Sequence, residues 1–363
     1  MPKHPDEQPR KGRGASLNLE GRFALHVRTR EDDGWGSLEE PLPPLETTVR
    51  PEAARSIVTR NDSPDLPFSQ SINPYRGCEH GCIYCYARPS HAYVDLSPGL
   101  DFETKLFYKQ DAAARLAATF RKPGYTPSPI TLGANTDGYQ PIEREHGVTR
   151  SLLEVMRDFR HPVSIITKSA LVLKDLDVLT ELAANDLVQV MVSITSLDPN
   201  VKRTLEPRAA GPAARLRAVR ELSRAGVPTG VMIAPVIPAI TDHEIEHIVA
   251  AAADAGAERV GYVMLRLPYE VKTLFRAWLD EHYPQRAAHV MSLVQAMRGG
   301  RDNDPRFGTR LRGEGAYAEL IARRFRVACR RYGLPRAPAR PLRTDLFAPP
   351  AQAGDQLDLL RFD

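Results

Sequence analysis

Short apolar runs recur at intervals through the middle of the chain. Each run is continuously apolar instead of alternating with polar residues, a pattern typical of strands buried on both faces of a parallel sheet. We therefore predict five buried strands, which cover residues 129–135, 163–169, 187–195, 228–237 and 259–267.

Amphipathic helix patterns lie between these runs. Three helices are predicted, over Leu171–Ala184, Ala213–Ala225 and Ile245–Ala255. The last helix follows the sequence TDHE, in which Thr241 and Glu244 have the spacing of a capping box. Alternation of strands with helices predicts a parallel sheet with right-handed crossovers.

A further strand leading into a cysteine-rich loop brings the predicted βα units to six. Six units are too few for a closed eight-stranded barrel but enough for a curved, open one. The predicted fold class is therefore α/β, an incomplete (β/α)6 TIM-like barrel with irregular N- and C-terminal extensions. Catalytic groups of such folds lie at the carboxyl ends of the strands.

The two ends of the chain differ from the middle in composition. Residues 1–60 mix charged residues, Pro and Gly with few apolar runs, and the segment after residue 334 is rich in Pro. We predict an N-terminal extension over 1–60, a core domain over 61–300, a helical segment over 301–333 and a Pro-rich tail over 334–363. Both extensions are expected to lie outside the core.

Composition favours one large soluble domain. The 363 residues are 42% hydrophobic and 26% charged, with a net charge of +4. This small excess of basic residues gives no argument for nucleic-acid binding by the whole surface, and leaves a local basic patch open. The basic N-terminus lacks the apolar core of a secretory signal, and no segment resembles a membrane helix. We expect a cytoplasmic protein.

Three of the four cysteines lie within eight positions, in the sequence NPYRGCEHGCIYCYARPSHAY. Cys78, Cys82 and Cys85 form the pattern C-x3-C-x2-C, which in a cytosolic protein favours metal or redox chemistry over disulfides. Structural zinc sites prefer four ligands, and His80 or His91 would be needed to complete one. An iron–sulfur cubane held by three thiolates would instead leave one iron open to a further ligand.

The motif C-x3-C-x-aromatic-C, with Tyr84 at the aromatic position and a βα array downstream, resembles that of the radical S-adenosylmethionine (radical SAM) superfamily. Within this superfamily, the sequences NPYRGCEHGCIYCYARPSH, TDGYQPIE and ITKS are similar to a branch of uncharacterised proteins related to spore photoproduct lyase. The resemblance covers residues 70 to 300, approximately, and favours iron–sulfur over zinc.

The resemblance implies a 4Fe–4S cluster whose open iron chelates the amino and carboxylate groups of S-adenosylmethionine. An electron from a donor such as flavodoxin or ferredoxin splits the sulfonium C–S bond, giving methionine and a 5′-deoxyadenosyl radical that abstracts hydrogen from an unassigned substrate. It also implies that Tyr84 packs near the adenine, and that Lys168 and Ser193 contact the cofactor. A core role for Tyr84 and a solvated Lys168 are the alternatives.

Polar residues follow the strand predicted over residues 129–135, in the sequence GANTDGYQPIE. Asn135, Thr136, Asp137 and Glu143 are predicted to reach the barrel mouth and bind the cofactor. A plain turn is the alternative, because Asn, Asp and Gly are turn formers. Arg208 is predicted to pair with the cofactor carboxylate, with a solvated charge as its alternative.

Repair of a DNA photoproduct is one alternative function, suggested by the lyase relationship. The lyase family returns a hydrogen atom from a cysteine near the end of the second strand, whereas LGANTDGYQ contains none and Tyr139 is the candidate substitute. The fourth cysteine, Cys329, shares helical spacing with Phe325 and Ala328, which predicts a buried position on the inner face of a C-terminal helix.

A non-catalytic zinc or iron–sulfur module that binds nucleic acid is the alternative from another class. Its contact surface would comprise the segment 323–331 and the arginines of a predicted helix, since guanidinium groups pair with phosphates. An ordinary charged helix face is the simpler interpretation of these arginines, which are Arg215, Arg217, Arg220 and Arg224.

Overall fold

The computed structural model describes residues 12–23, 45–335 and 341–351. Its strands, in chain order, are β1 (Thr48–Pro51), β2 (Thr59–Arg60), β3 (Gln70–Ile72), β4 (Tyr75–Arg76), β5 (Lys105–Tyr108), β6 (Ile130–Leu132), β7 (Val163–Thr167), β8 (Val188–Ser193), β9 (Thr229–Val236) and β10 (Arg259–Met264).

The α-helices are α1 (Asp101–Thr104), α2 (Ala112–Phe120), α3 (Glu143–His146), α4 (Val148–Asp158), α5 (Leu176–Ala183), α6 (Pro199–Leu205), α7 (Pro212–Arg224), α8 (Ile245–Asp254), α9 (Val271–His282), α10 (Ala287–Ala296) and α11 (Gly315–Arg331). Among the described residues, 3-10 helices span Arg88–Val94, Ala170–Asp175 and Asp242–Glu244.

The main sheet has the strand order β10-β9-β8-β7-β6-β3-β2. The strands from β3 to β10 in this order pair in parallel, and β2 pairs antiparallel with β3 at one edge. Successive residues Val190, Met191 and Val192 of β8 point to opposite faces and are all buried. The predicted parallel sheet is therefore confirmed, and its strands are continuously apolar because both faces are covered.

Two local predictions at helix starts are wrong. The first half of the helix predicted from Leu171 is a 3-10 helix, and α5 begins only at Leu176. The capping box also does not form. Thr241 Oγ1 accepts a hydrogen bond from the N–H of Ile237, and the Glu244 carboxylate accepts from Ser196 and Leu197, because both groups are recruited by neighbouring loops.

A second buried cluster lies beyond the carboxyl ends of the strands. It joins Trp278 of α9 and residues of α10 to Leu205 and to Ile83 of the cysteine loop. The indole N–H of Trp278 donates to the carbonyl oxygen of Thr204 at 3.2 Å. Helices that follow the last strand therefore support the loop that follows β3.

The expectation that both ends lie outside the core is wrong for several described residues. Ala15 is 2% exposed and Ile57 is 1% exposed, and each belongs to a hydrophobic cluster. Near the C-terminus, Phe347 packs against Phe120. Residues 1–11 and 24–44 of the predicted extension, and 336–340 and 352–363 of the predicted tail, lie outside the described residues. The domain boundaries remain a prediction.

Candidate active site at the carboxyl ends of the strands

The cysteine loop leaves the sheet after β3, at the edge where the parallel strands end. Cys78 and Cys82 are each 7% exposed, Cys85 is half-buried, and none of the three is in a disulfide. The N–H of Cys78 donates to the carbonyl oxygen of Phe102 at 2.9 Å, and the N–H of Cys85 donates to that of Cys82 at 3.2 Å. The thiols are thus carried on a hydrogen-bonded loop.

Two glycines allow this loop to approach its surroundings closely. Gly77 and Gly81 have φ angles of +75° and +68°, which residues with a Cβ adopt rarely. A Cβ at Gly77 would lie 2.6 Å from Leu106 Cδ2, and one at Gly81 would lie 2.7 Å from Glu103 Oε2. Glycine is therefore required on both sides of Cys78.

Arg88, three residues after the last cysteine of the motif, holds the loop from inside the protein. Its side chain is fully buried and donates to the carbonyl oxygens of Gly81 at 3.1 Å and Cys82 at 2.9 Å. The guanidinium also forms an ion pair with Glu103, whose carboxylate accepts the N–H groups of Gly14 and Ala15. Such additional hydrogen bonds help to offset the free-energy cost of removing the two charges of a buried ion pair from water.

Gln140, from the polar segment after β6, holds the same loop from the sheet side. Its Oε1 accepts the N–H of Glu79 at 2.8 Å, and its Nε2 donates to the carbonyl oxygen of Gly77 at 3.2 Å. These two contacts flank Cys78. Thr136 Oγ1 donates to the carbonyl oxygen of Tyr75, so the polar segment mainly positions backbone.

Asp137 links the ends of two strands beside the cysteines. Its carboxylate accepts from Thr167 Oγ1 at 2.7 Å and from the N–H of Lys168 at 2.7 Å, and it lies 3.4 Å from Nδ1 of His80. Its own N–H contacts the Cys78 thiol. Asn135 is exposed, and its N–H donates to Asn73 Oδ1 at 2.8 Å.

The structure places Glu143 and Tyr139 in the layer of helices. The Glu143 carboxylate accepts from the hydroxyl of Tyr75 and from the N–H groups of Thr149 and Arg150 at the start of α4. Tyr139 is 1% exposed, and its hydroxyl donates to Asp175 Oδ2 at 3.0 Å. This placement leaves hydrogen return by Tyr139 without a geometric basis, because its hydroxyl points towards the α4–α5 layer.

Tyr84 belongs to a buried polar network. Its hydroxyl donates to Glu206, whose carboxylate also accepts from Thr195 Oγ1 at 2.8 Å and pairs with Arg215. Arg215 is 1% exposed and donates through Nη1 to the carbonyl oxygen of Ser193 at 2.9 Å. The network connects the aromatic residue of the cysteine motif to the carboxyl end of β8.

Lys168 lies at the end of β7 and faces this network. Its Nζ is 5.9 Å from the centroid of the Tyr84 ring. Burial opposes ionisation of Glu206, but Arg215 and Lys168 outweigh that cost and hold its pKa at about 2. Glu206 is therefore an anion, and the positive charge of Lys168 also acts to lower the pKa of Cys82.

Arg208 contacts the cysteine loop directly. Its guanidinium forms an ion pair with Glu79, and its N–H donates to the carbonyl oxygen of His80 at 3.2 Å. The Arg208 side chain is 38% exposed, which leaves part of the guanidinium accessible. Tyr84, Thr136, Asp137, Lys168 and Arg208 thus surround the cysteine loop, and Ser193 lies buried at the end of β8.

Comparison with known proteins identifies the family of this chain. The model of the radical SAM superfamily matches residues 72–252. An uncharacterised protein of Mycobacterium tuberculosis is 35% identical over 232 residues, which cover 63% of this chain and 68% of that protein. The chain belongs to the radical SAM superfamily. A second uncharacterised relative, from Methanocaldococcus jannaschii, is 27% identical over 214 residues, covering 59% of this chain and 76% of that protein.

Solved structures of one radical SAM enzyme share the fold. A mutant of spore photoproduct lyase superimposes with a TM-score of 0.57 over 86% of both chains at 16% identity. Another mutant, with bound S-adenosylmethionine and dinucleoside spore photoproduct, gives a TM-score of 0.56 over 78% of both chains at 17% identity. At such low identity the likeness concerns the fold alone.

The three thiols of this radical SAM domain suit an iron–sulfur cluster. Burial is the main cause, and the charge of Glu206 the second cause, that raises the pKa of Cys82 to about 12. For Cys78, burial and then the charge of Asp137 raise the pKa well above its ordinary value. Cationic iron would reverse this penalty by stabilising the thiolates. The described residues contain no group of three His, Cys, Asp or Glu side chains that converges on one metal ion. The three thiolates that hold a cubane cluster each bind a different iron, so they do not need to converge on one metal ion.

The histidines considered as zinc ligands have other contacts. His91 Nε2 lies 2.9 Å from the carbonyl oxygen of Lys105, and the ring packs against Phe102 with centroids 5.3 Å apart. His80 is 2% exposed, and burial lowers its pKa to about 4 despite the nearby Asp137. Both rings are therefore held within the protein as neutral groups.

The arginines proposed as a nucleic-acid surface do not act together. Arg215 is buried in the network of Tyr84, whereas the Arg217 side chain is 63% exposed on the same helix. In α11, Arg324 forms an ion pair with Glu246 at 2.6 Å. We therefore interpret the exposed arginines as parts of ordinary charged helix faces. Arg215 differs from them because it is buried.

Sequence reasoning missed the residues that hold the loop. Arg88, Glu103, Gln140 and Glu206 are buried polar side chains that contact the loop or Tyr84. Their positions in the sequence carry little signal, since their partners lie in other segments of the chain with no fixed spacing. Polar and charged side chains are rarely buried unless they are paired. Their burial together with their partners therefore identifies these residues in the structure. None of the described helices is long and apolar enough to cross a membrane.

Proposed function

We propose that this radical SAM protein is an enzyme that binds a 4Fe–4S cluster through Cys78, Cys82 and Cys85 and cleaves S-adenosylmethionine reductively. The observation that carries the proposal is the loop of three thiols outside any disulfide, held at the carboxyl ends of parallel strands in a member of this superfamily. When bound, the cluster and S-adenosylmethionine supply a 5′-deoxyadenosyl radical, which abstracts hydrogen from the substrate.

The protein's own contribution begins with rigidity. Arg88 and Gln140 fix the backbone on both sides of the thiols, so the loop needs little reorganisation when it receives the cluster. We infer that the six parallel strands form the incomplete (β/α)6 barrel expected of the superfamily. Its interior would exclude water from a reactive radical.

Cofactor contacts follow from the positions around the loop. Lys168 and the accessible part of Arg208 are the cations proposed to receive the cofactor carboxylate. Tyr84, oriented by Glu206, would form a wall beside the adenine. The remaining proposed contacts at the strand ends are Asn135, Thr136, Asp137 and Ser193. Glu143 is not retained among them, because its carboxylate is bonded within the layer of helices.

The substrate and the hydrogen donor remain unassigned in this proposal. The segment LGANTDGYQ contains no cysteine, and the Tyr139 hydroxyl is bonded to Asp175. Repair of a DNA photoproduct is therefore not extended to this chain. The electron donor is proposed to be a small redox protein such as flavodoxin or ferredoxin.

The test is uncoupled cleavage of S-adenosylmethionine. The full chain, reconstituted anaerobically with iron and sulfide and reduced with dithionite, is expected to form 5′-deoxyadenosine and methionine slowly without substrate. Chromatography quantifies both products, and Lys168→Met should lower their yield because it removes a proposed carboxylate contact. A reduced and spectroscopically intact cluster that forms neither product would refute the proposal.

A further inference from the structure

The carboxyl end of β10 is covered by the segment between α10 and α11. The N–H of Met264 donates to the carbonyl oxygen of Leu311 at 2.9 Å, and Arg298 donates to that of Leu265 at 2.8 Å. Arg310 in this segment forms an ion pair with Asp65, which follows β2 at the opposite edge of the sheet. The segment therefore bridges the two edges of the open sheet.

Arg266, two residues after β10, lies within this bridged region without an acceptor. Its Nε is buried and meets no hydrogen-bond acceptor among the residues described. No ion pair or hydrogen bond forms between Arg266 and any other described side chain, and its defined contact is the Tyr86 ring, 5.9 Å from the guanidinium carbon. Arg266 as a whole is partly buried, and a buried Nε without an acceptor is unusual, because buried polar atoms are nearly always hydrogen-bonded.

The surroundings of Arg266 carry an excess of positive charge. Arg310 and the fully buried Arg298 are its cationic neighbours, and burial followed by Arg266 lowers the pKa of Arg298 to about 10. The nearby carboxylate of Asp65 already accepts from Arg310 and from the N–H of Gly308. Asp304 is similarly occupied by Arg306. Neither of these two carboxylates is thus left for Arg266.

Arg266 lies next to the cysteine loop through its contact with Tyr86. Tyr86 directly follows Cys85, is 47% exposed, and donates its hydroxyl to the carbonyl oxygen of Ala134 beyond β6. The side chain of Tyr86 thus joins the cysteine loop to one strand end, while its ring contacts Arg266 beyond another. A ligand that approaches Cys85 at this edge would pass the guanidinium.

We propose that Arg266 is an anion-binding residue, which receives a carboxylate or phosphate group of a ligand that enters beside the cysteine loop. The planar guanidinium suits either group, because it can donate two parallel hydrogen bonds to an oxyanion. Arg298 and Arg310 would strengthen the attraction by their charge. This inference rests on the proposed function, since it places the anion in the same active site.

Two sources of the anion are separated by two titrations. The full chain, reconstituted anaerobically, is titrated calorimetrically with S-adenosylmethionine and, separately, with pyrophosphate as a probe for a phosphate-bearing substrate. Arg266→Gln should weaken one of the two about tenfold or more, the ordinary loss for a hydrogen bond to a charged group. Weaker pyrophosphate binding assigns the site to the substrate, and weaker S-adenosylmethionine binding assigns it to the cofactor carboxylate. Arg266→Lys, which keeps the charge but not the fork, should lose less.

Controls separate binding from folding. Arg217→Gln removes an exposed arginine on α7 and should change neither affinity. Arg266→Gln should keep or raise the melting temperature, because it removes an unpaired, partly buried charge. Unchanged affinity for both ligands in Arg266→Gln, or the same loss in Arg217→Gln, would overturn the inference. Cluster absorption and 5′-deoxyadenosine formation by the unmodified protein are measured separately, so failure of the proposed function would be recognised independently.

Discussion

The two ends of the parallel sheet are built from different interactions. At the carboxyl ends, buried ion pairs join Arg88 to Glu103 and Arg215 to Glu206. At the amino ends of β6 and β7, aromatic rings pack together: His161 stacks on Phe120 with centroids 4.2 Å apart. Phe347, near the C-terminus, completes this aromatic cluster with Tyr125 and Phe159.

The difference indicates what each end contributes. Aromatic packing stabilises a fold through buried apolar area, which requires no partner of opposite charge. A buried ion pair is often no more stabilising than an apolar pair of the same size, so stability alone does not explain its presence. At the carboxyl end the charged groups instead hold carbonyl oxygens and a tyrosine hydroxyl of the cysteine loop, and the N–H groups of Gly14 and Ala15. We infer that this end is organised for binding and the other for stability.

The largest expected effect is at the thiols. Replacement of Cys78, Cys82 or Cys85 with Ala should abolish the broad visible absorption of the anaerobically reconstituted protein, because all three are needed to hold the cluster. Iron and sulfide analysis checks the same point. Full retention of both in any one variant would contradict the assignment of the carboxyl end.

The next largest effect concerns the ion pair beneath the loop. Arg88→Met should lower the free energy of unfolding by about 3–5 kcal/mol, since it leaves Glu103 buried without a cation. Urea unfolding measures this loss, and Arg88→Met combined with Glu103→Gln should recover part of it. The control is Arg115→Met in an exposed pair with Asp111, where the expected change is within about 0.5 kcal/mol. Equal losses in the two variants would show that the buried pair at the carboxyl end matters no more to stability than an exposed pair does.

At the amino end, stability should depend on pH through His161. The ring is fully buried, accepts from the Tyr125 hydroxyl at 2.8 Å, and has its pKa lowered by burial to about 4. The unfolded chain therefore binds a proton at a higher pH than the folded protein, and stability falls as pH decreases from 6.5 towards 4.

Between pH 7 and 5, this histidine should cost the protein about 2 kcal/mol of unfolding free energy. Urea unfolding of the wild type and of His161→Phe isolates its share from that of the carboxylates. The variant should lose less stability on acidification while retaining its cluster. Identical pH profiles would show that His161 does not titrate as its burial implies.

The smallest effect is expected at Cys329. This residue is 7% exposed and packs in the main hydrophobic cluster on the inner face of α11, as its helical spacing predicts. Cys329→Ala should keep iron, sulfide and S-adenosylmethionine cleavage, and lose at most about 1 kcal/mol of stability. Loss of iron or of cleavage in a folded variant would place Cys329 in the site.

Much of the fold could be predicted from local patterns. The run that contains Val190 and Val192 predicts a strand buried on both faces, and the helices around Ala213 and Ile245 are found within one residue of their predicted starts. Such patterns depend only on residues close together in the chain, so they can be recognised from the sequence without knowledge of the tertiary structure. The missing capping box shows the limit, because the Glu244 carboxylate is instead bonded to Ser196 and Leu197, which lie in a loop distant in sequence.

By itself, the sequence determined the strand and helix alternation, the three thiols in one loop, and the placement of Cys329 on a buried helix face. Only the tertiary structure decided which polar residues support that loop. Arg88 meets Glu103 15 residues further on, whereas Tyr84 meets Glu206 and Gln140 brackets Cys78 through contacts between elements far apart in the chain. Periodicity records whether a side chain is buried, but the partner that a buried polar group needs is set by the packing of distant segments.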